Sequence, residues 1–138
     1  MKHFTFGEFE KSATAYKHGI DNTAPEEARR NIAALVDNVL DPLRQAWGGP
    51  ILVSSGYRCP KLNALVGGAK NSQHMTGCAA DLRVVRNGAV DTVANRRLFQ
   101  LIRSLHLPFD QLIDERDFSW IHVSHRRDGD NRNQILKL

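Results

Sequence analysis

The chain has 138 residues, 41% of them hydrophobic and 25% charged, with a formal net charge of +4. That is one domain over 1–138, long enough to bury a core, and no apolar run nears the roughly 20 residues of a membrane span. Two cysteines, Cys59 and Cys78, are too few for a disulfide scaffold and read as reduced thiols.

The N-terminal run Met1-Lys2-His3-Phe4-Thr5-Phe6 lacks the apolar stretch of a signal peptide. Synthesis in a cytoplasm, without a signal peptide, is expected. The basic balance suits any anionic polymer, nucleic acid or cell wall alike. The 19 Lys and Arg residues are scattered along the chain, which argues against nucleic acid.

A short helix is predicted over 7–16, with Phe9 and Ala13 inward, then a turn at Gly19-Ile20-Asp21-Asn22. Thr23 reads as an N-cap with Glu26 as its capping-box partner and Pro25 early in the helix. Ile32, Leu35, Val36, Val39, Leu40 and Leu43 recur at steps of three and four, the stripe of a core helix. Pro42 kinks its last turn, and Gly48-Gly49-Pro50 ends it.

A buried strand is predicted over 51–54, a short helix over 60–66, a loop over 69–77 and a strand over 79–85. Asn87-Gly88 is the strongest turn dipeptide in the chain. Asp91 or Thr92 caps a second helix to about 105, with Val93, Leu98, Leu101, Ile102 and Leu105 inward. Strands follow over 111–114 and 120–124, and a last one over 134–138. The sum is an α+β fold, with helices packed on one side of a small, mostly antiparallel sheet.

Chemistry concentrates between 54 and 81. His74 and Asp81 stand seven residues apart with the small residues Gly77, Ala79 and Ala80 between them. Imidazole with carboxylate suits a divalent metal such as zinc, and a catalytic zinc takes three protein ligands and leaves one position open. His3, His18, His106, His122 and His125 compete for third ligand. His122 differs from the others in sitting mid-strand, on one face with Trp120 and Ser124, while Ile121 and Val123 take the other. A lone strand histidine is more often structural, so spacing alone leaves the third ligand open.

Three blocks together resemble the M15 zinc peptidases: Ser55-Gly56-Tyr57-Arg58, Ser72-x-His74-x-x-Gly77-x-Ala79-x-Asp81, and Trp120-Ile121-His122-Val123-Ser124. The group includes D-alanyl-D-alanine carboxypeptidases and endolysins, and shares its fold with the hedgehog N-terminal domain. Phe6-x-x-Phe9, Ser12-x-x-Ala15 and Leu40-x-Pro42-Leu43-Arg44 extend the match over most of the chain.

The resemblance implies a zinc held by His74, Asp81 and His122. It implies that Arg58 binds a substrate carbonyl or carboxylate and steadies a developing oxyanion. Ser72 and Gln73 line the same cleft or shape its loop, and Trp120 lines the substrate side. The general base is an acid shortly before the third ligand. Asp114, Glu115 and Asp117 qualify, and Glu115 best matches the acidic position after Gln111-Leu112-Ile113. The Glu-x-x-His spacing of some relatives is absent, since Ser119 stands there.

The function implied is zinc-dependent hydrolysis of a peptide bond in peptidoglycan stems. The action is of the D-Ala-D-Ala carboxypeptidase or endopeptidase type, in a monomeric phage or prophage endolysin that reaches the wall after release. The rival is a non-catalytic, hedgehog-like zinc module, which an acid from 114–117 beside the metal would disfavour.

Overall fold

The computed structural model describes residues 1–138. Two short helices open the chain, α1 (Phe6–Glu10) and α2 (Ala13–Lys17), instead of one. Each has its own cap. The Thr5 hydroxyl and the Glu8 carboxylate form a capping box on α1, and the Ser12 hydroxyl accepts the Ala15 N–H on α2. The break turns Ala13 outward and buries Ala15 in its place.

The long stripe folds as α3 (Glu26–Leu35), a π-helical turn (Val36–Leu40) and α4 (Asp41–Trp47). Thr23 is not the N-cap. Pro25 takes that position without a side-chain cap, and Glu26 reaches Arg30 instead. The upstream amides are met by other carboxylates, Ala24 N–H by Glu10 and Thr23 N–H by Asp21. The distortion expected at Pro42 lies just before it, in the π turn, because Pro42 starts α4 where its missing N–H matters least. Gly48, at φ 76°, ends α4 in the left-handed region.

Strand β1 (Leu52–Ser55) leads to α5 (Pro60–Leu65), and a 3-10 turn (Gln73–Thr76) precedes β2 (Ala79–Arg83). The strand expected to reach 85 stops at Arg83, because the Val84 N–H leaves the sheet to bond Asn95 Oδ1 at 2.8 Å. A small hairpin follows, β3 (Val85–Arg86) and β4 (Ala89–Val90), turned by Asn87 and Gly88, both at positive φ. The Asp91 carboxylate caps α6 (Thr92–Ser104) through the Ala94 N–H. β5 (Gln111–Glu115), β6 (Trp120–Ser124) and β7 (Gln134–Lys137) complete the chain.

The large sheet has the order β1-β2-β6-β5-β7, antiparallel except for the parallel β5–β7 pair. One face, with Val53, Ala80, Leu82, Leu112, Ile121 and Val123, joins the core under the helices. Ile32, Leu35, Leu43, Leu98 and Ile102 meet it from the helix side. Val93, expected inward on α6, is 61% exposed, and Leu105 at the helix end is also exposed. The fully buried Asn95 takes an inner position instead, donating to Phe118 O at 2.7 Å as well as accepting from Val84. Leu98→Ala, at a site with no exposure, is expected to cost about 2–5 kcal/mol in urea unfolding.

Candidate metal centre

Alternation along the sheet leaves Asp81 of β2 and His122 of β6 on the face away from the helices, directly opposite each other in the ladder. His74 arrives from the 3-10 turn just before β2. One ligand atom from each of the three lies within 4.8 Å of the others. Asp81 Oδ1 is 3.4 Å from His74 Nε2 and 3.1 Å from His122 Nδ1, and the two imidazoles stand edge to face at 5.1 Å. His74 is buried, while Asp81 and His122 keep partial exposure on the open side.

Two glycines let the backbone form this site. Gly56 O accepts from His74 Nδ1 at 2.7 Å, which fixes the tautomer and leaves Nε2 to face Asp81. A Cβ at Gly56 would lie 2.6 Å from Phe9 Cα, so only glycine brings that carbonyl here without moving α1. Gly77, at φ 78°, ends the turn that carries His74, and a Cβ there would lie 2.4 Å from Ala28 O. Gly77→Ala is therefore expected to destabilise by about 1–3 kcal/mol, by strain and overlap, and to weaken metal binding. Thermal melts with and without zinc check both.

Burial pushes the Asp81 carboxyl up, but bonds and charges from His122 and His74 outweigh it and hold it well below the usual carboxylate range. An ionised carboxylate facing two imidazole nitrogens is the donor set a divalent cation takes. The fit is good, since the donors converge, one histidine is oriented from behind, and three protein ligands leave a position free.

Asp110 braces the turn from below. It is fully buried and accepts from Arg132 Nε at 3.0 Å, Arg132 Nη2 at 2.8 Å and Gln73 Nε2 at 3.1 Å. Arg132 holds its carboxyl down to about 2. Because the folded value lies below the ordinary 3.8, the stabilisation is present above that value and is lost as pH falls toward 2. Arg132 is half exposed, so solvent screens the pair. Asp110→Asn should cost on the order of 1–2 kcal/mol at neutral pH. That gap should close between about pH 4 and pH 2 in urea titrations.

The structure separates the remaining candidates. Arg58 is half-buried, with its backbone N–H on His74 O and Nη2 at 3.3 Å from Ser72 Oγ. Burial draws its guanidinium down, and the Asp81 charge partly offsets this. Ser72 also caps the turn through the His74 N–H. Gln73 commits its amide to Asp110, so it shapes the turn. Trp120 shares a face with His122, with the Arg116 guanidinium 5.4 Å from its ring centroid.

Glu115 pairs with Trp120, and Ile113 with His122, so Glu115 also lies on the face of Asp81 and His122. Asp114 lies on the opposite face, where its Oδ1 accepts the Phe118 N–H at 2.7 Å. Asp117 is almost fully exposed and pairs with Lys137. His125 is buried against Pro108 O, and His3 meets Gln45, both away from the cluster. Cys59 and Cys78 are free thiols.

Asp81 and His122 sit on an open sheet face, with His74 beside them on the 3-10 turn. A cleft of about 470 Å³ runs along β1, lined by Arg58, Ser54, Ser55 and Leu52 and by Lys11 and Ser12, with none of the three clustered residues in its wall. No helix is long and apolar enough to cross a membrane.

An α+β sheet here brings two histidines and an aspartate toward one point, a group that could hold a metal ion. A family model described as Peptidase M15 matches residues 2–124, a stretch that includes all three ligands, Arg58 and Glu115. The chain belongs to the M15 peptidase family. It is also 40% identical over 80 residues to a zinc D-Ala-D-Ala carboxypeptidase of Streptomyces albus G. That alignment covers 57% of this chain and 30% of the relative, so the chain matches well under half of that protein's length.

Proposed function

We propose that this chain is a zinc peptidase that hydrolyses a stem-peptide bond of bacterial peptidoglycan. The observation that carries the reading is the convergence of His74, Asp81 and His122 with Glu115 on the same sheet face. Family membership and the similar zinc carboxypeptidase support it.

His74, Asp81 and His122 would hold the ion. Zinc bound there supplies Lewis acidity and a water that loses its proton near neutral pH. Glu115 takes the proton of the attacking water and returns it to the leaving amine. Arg58 stays protonated at any working pH and meets the carbonyl oxygen as negative charge develops on it. Ser72 Oγ, 3.3 Å from Arg58 Nη2, holds that guanidinium in place. Trp120 offers an apolar wall beside the scissile bond.

The open face suits a polymeric substrate better than a closed pocket would. We assign the chain to cell-wall lysis as a monomeric endolysin, made in the bacterial cytoplasm and acting on the wall after release. The net charge of +4 provides attraction to the anionic wall.

The test is digestion of purified peptidoglycan by zinc-loaded protein, with mass spectra of the products. Release of a terminal D-alanine would identify a carboxypeptidase, and cleavage within the stem an endopeptidase. One zinc per chain with intact wall peptides would sink the enzymatic reading in favour of a zinc-stabilised binding module.

A further inference from the structure

Three arginines bury Nε without a hydrogen-bond partner: Arg29, Arg58 and Arg83. Arg29 is neutralised by Glu10, 3.1 Å from its Nη2. Arg58 has only the Ser72 hydroxyl. Arg83 has no partner at all, whereas Arg30, Arg86, Arg126, Arg127 and Arg132 each reach a carboxylate. A half-buried guanidinium with no counter-charge is a desolvated cation whose attraction is unspent.

The sheet register places Arg83 beside the metal ligands. It stands two residues after Asp81 on β2, on the same face and roughly 7 Å along the strand. The β1–β2 ladder pairs it with Leu52, which lines the cleft along β1. In the β2–β6 ladder Leu82 faces Ile121, so the next step sets Arg83 beside Trp120, and Trp120 faces Glu115. Arg83, Trp120 and Glu115 thus form one row across the face, next to the row of Asp81 and His122.

Arg58 lies toward the other end. β1 runs antiparallel to β2, pairing Leu52 with Arg83 and Ser55 with Asp81. The chain leaving β1 therefore carries Arg58 toward the start of β2, and its N–H on His74 O confirms the side. Arg58 and Arg83, each with a buried, unpartnered Nε and no carboxylate within ion-pair distance, flank the metal ligands from opposite ends of β2.

We propose that Arg83 is a specificity-determining residue that binds a substrate carboxylate on the side of the scissile bond away from Arg58. The substrate is then an acidic peptide, carrying a free carboxylate within a residue or two of the bond cut. This rests on the reading of the face as a peptidase site. The planar fork of arginine suits a carboxylate in two-point contact, and neutral substrates leave that fork unpaired.

The test compares a short stem-type peptide bearing a free carboxylate beside the scissile bond with its carboxamide twin. Binding is measured by calorimetry on metal-free protein, and kcat/KM on zinc-loaded protein. Wild type should prefer the acid by about tenfold, the scale of one charge-assisted hydrogen bond. Arg83→Gln should bring that ratio close to one, while its zinc content stays at the wild-type level. Arg83→Lys should keep part of the preference, since it keeps the charge and loses the fork.

Equal binding of the two peptides by wild type, or an unchanged ratio in Arg83→Gln, would overturn the proposal. Cleavage of neither peptide, with the binding preference intact and dependent on Arg83, would remove the peptidase reading and leave the anion subsite standing. Cleavage of both without preference would do the reverse.

Discussion

His122→Ala is expected to lose the bound zinc and, with it, at least about a thousandfold in peptidoglycan cleavage. The geometry argues for so large an effect. His122 Nδ1 and His74 Nε2 both face Asp81 Oδ1, and removing one ligand leaves two, too few for a catalytic zinc. Outer-shell partners of metal ligands typically account for 10–100-fold, and a direct ligand should exceed that. The informative control is His125→Ala, three residues on. His125 is buried and bonds Pro108 O at 2.7 Å, so its loss should lower the melting temperature yet leave one zinc per chain. Metal analysis of both variants decides the matter. Zinc retained at full stoichiometry in His122→Ala would remove that residue from the centre.

The contrast between these two histidines shows what a sequence can carry. Alternation in Trp120-Ile121-His122-Val123-Ser124 separates a core face from a site face, because the strand is regular and its core-facing residues, Ile121 and Val123, are β-branched. The same reasoning finds the face of β2 that carries Asp81. It fails where a tertiary partner outbids local chemistry. Thr23 has every mark of an N-cap, yet Pro25 caps α3 because Glu10 and Asp21 satisfy the preceding amides from outside the helix. Val93 looks like a core residue and Asn95 like a surface one, but a buried asparagine is what ties α6 to both the end of β2 and the turn before β6. Arg83 escapes notice for a different reason: a charged residue alternating with apolar ones reads as a solvated face, and only the ladder and the missing carboxylate show otherwise.

The choice of Glu115 among the three acids rests on family likeness in the sequence, and its physical basis needs register. Residues Arg116, Asp117 and Phe118 all adopt positive φ, at 49°, 52° and 60°, a conformation that side chains disfavour and that no glycine announces. This strained turn between β5 and β6 is held from several sides. Asp114 Oδ1 accepts the Phe118 N–H, Asn95 donates to Phe118 O, and Phe118 packs edge-on against Phe99. Strain of this kind persists only when the surroundings over-determine it, and it gathers at working sites. Its effect here is to fix Glu115 opposite Trp120 while turning Asp114 away.

Glu115→Gln should therefore separate binding from chemistry. The amide is nearly isosteric with the carboxylate and keeps hydrogen-bonding capacity, but it is a very poor base at neutral pH. Zinc content and melting temperature should match wild type, since Glu115 is neither among the clustered ligands nor in an ion pair. The turnover number should fall by about 10²–10⁴-fold, the usual contribution of general acid–base catalysis, with little change in KM. Asp114→Asn provides the opposite signature. It weakens the bond to the Phe118 N–H, so it should cost stability and lower activity only as far as the 115–120 turn loosens. Asp117→Asn should change neither, because Asp117 stands in solvent. Kinetics and metal content on the three variants discriminate cleanly. Full activity in Glu115→Gln would show that the proton moves through another group on this face, and the row of Arg83, Trp120 and Glu115 would then be a binding surface alone.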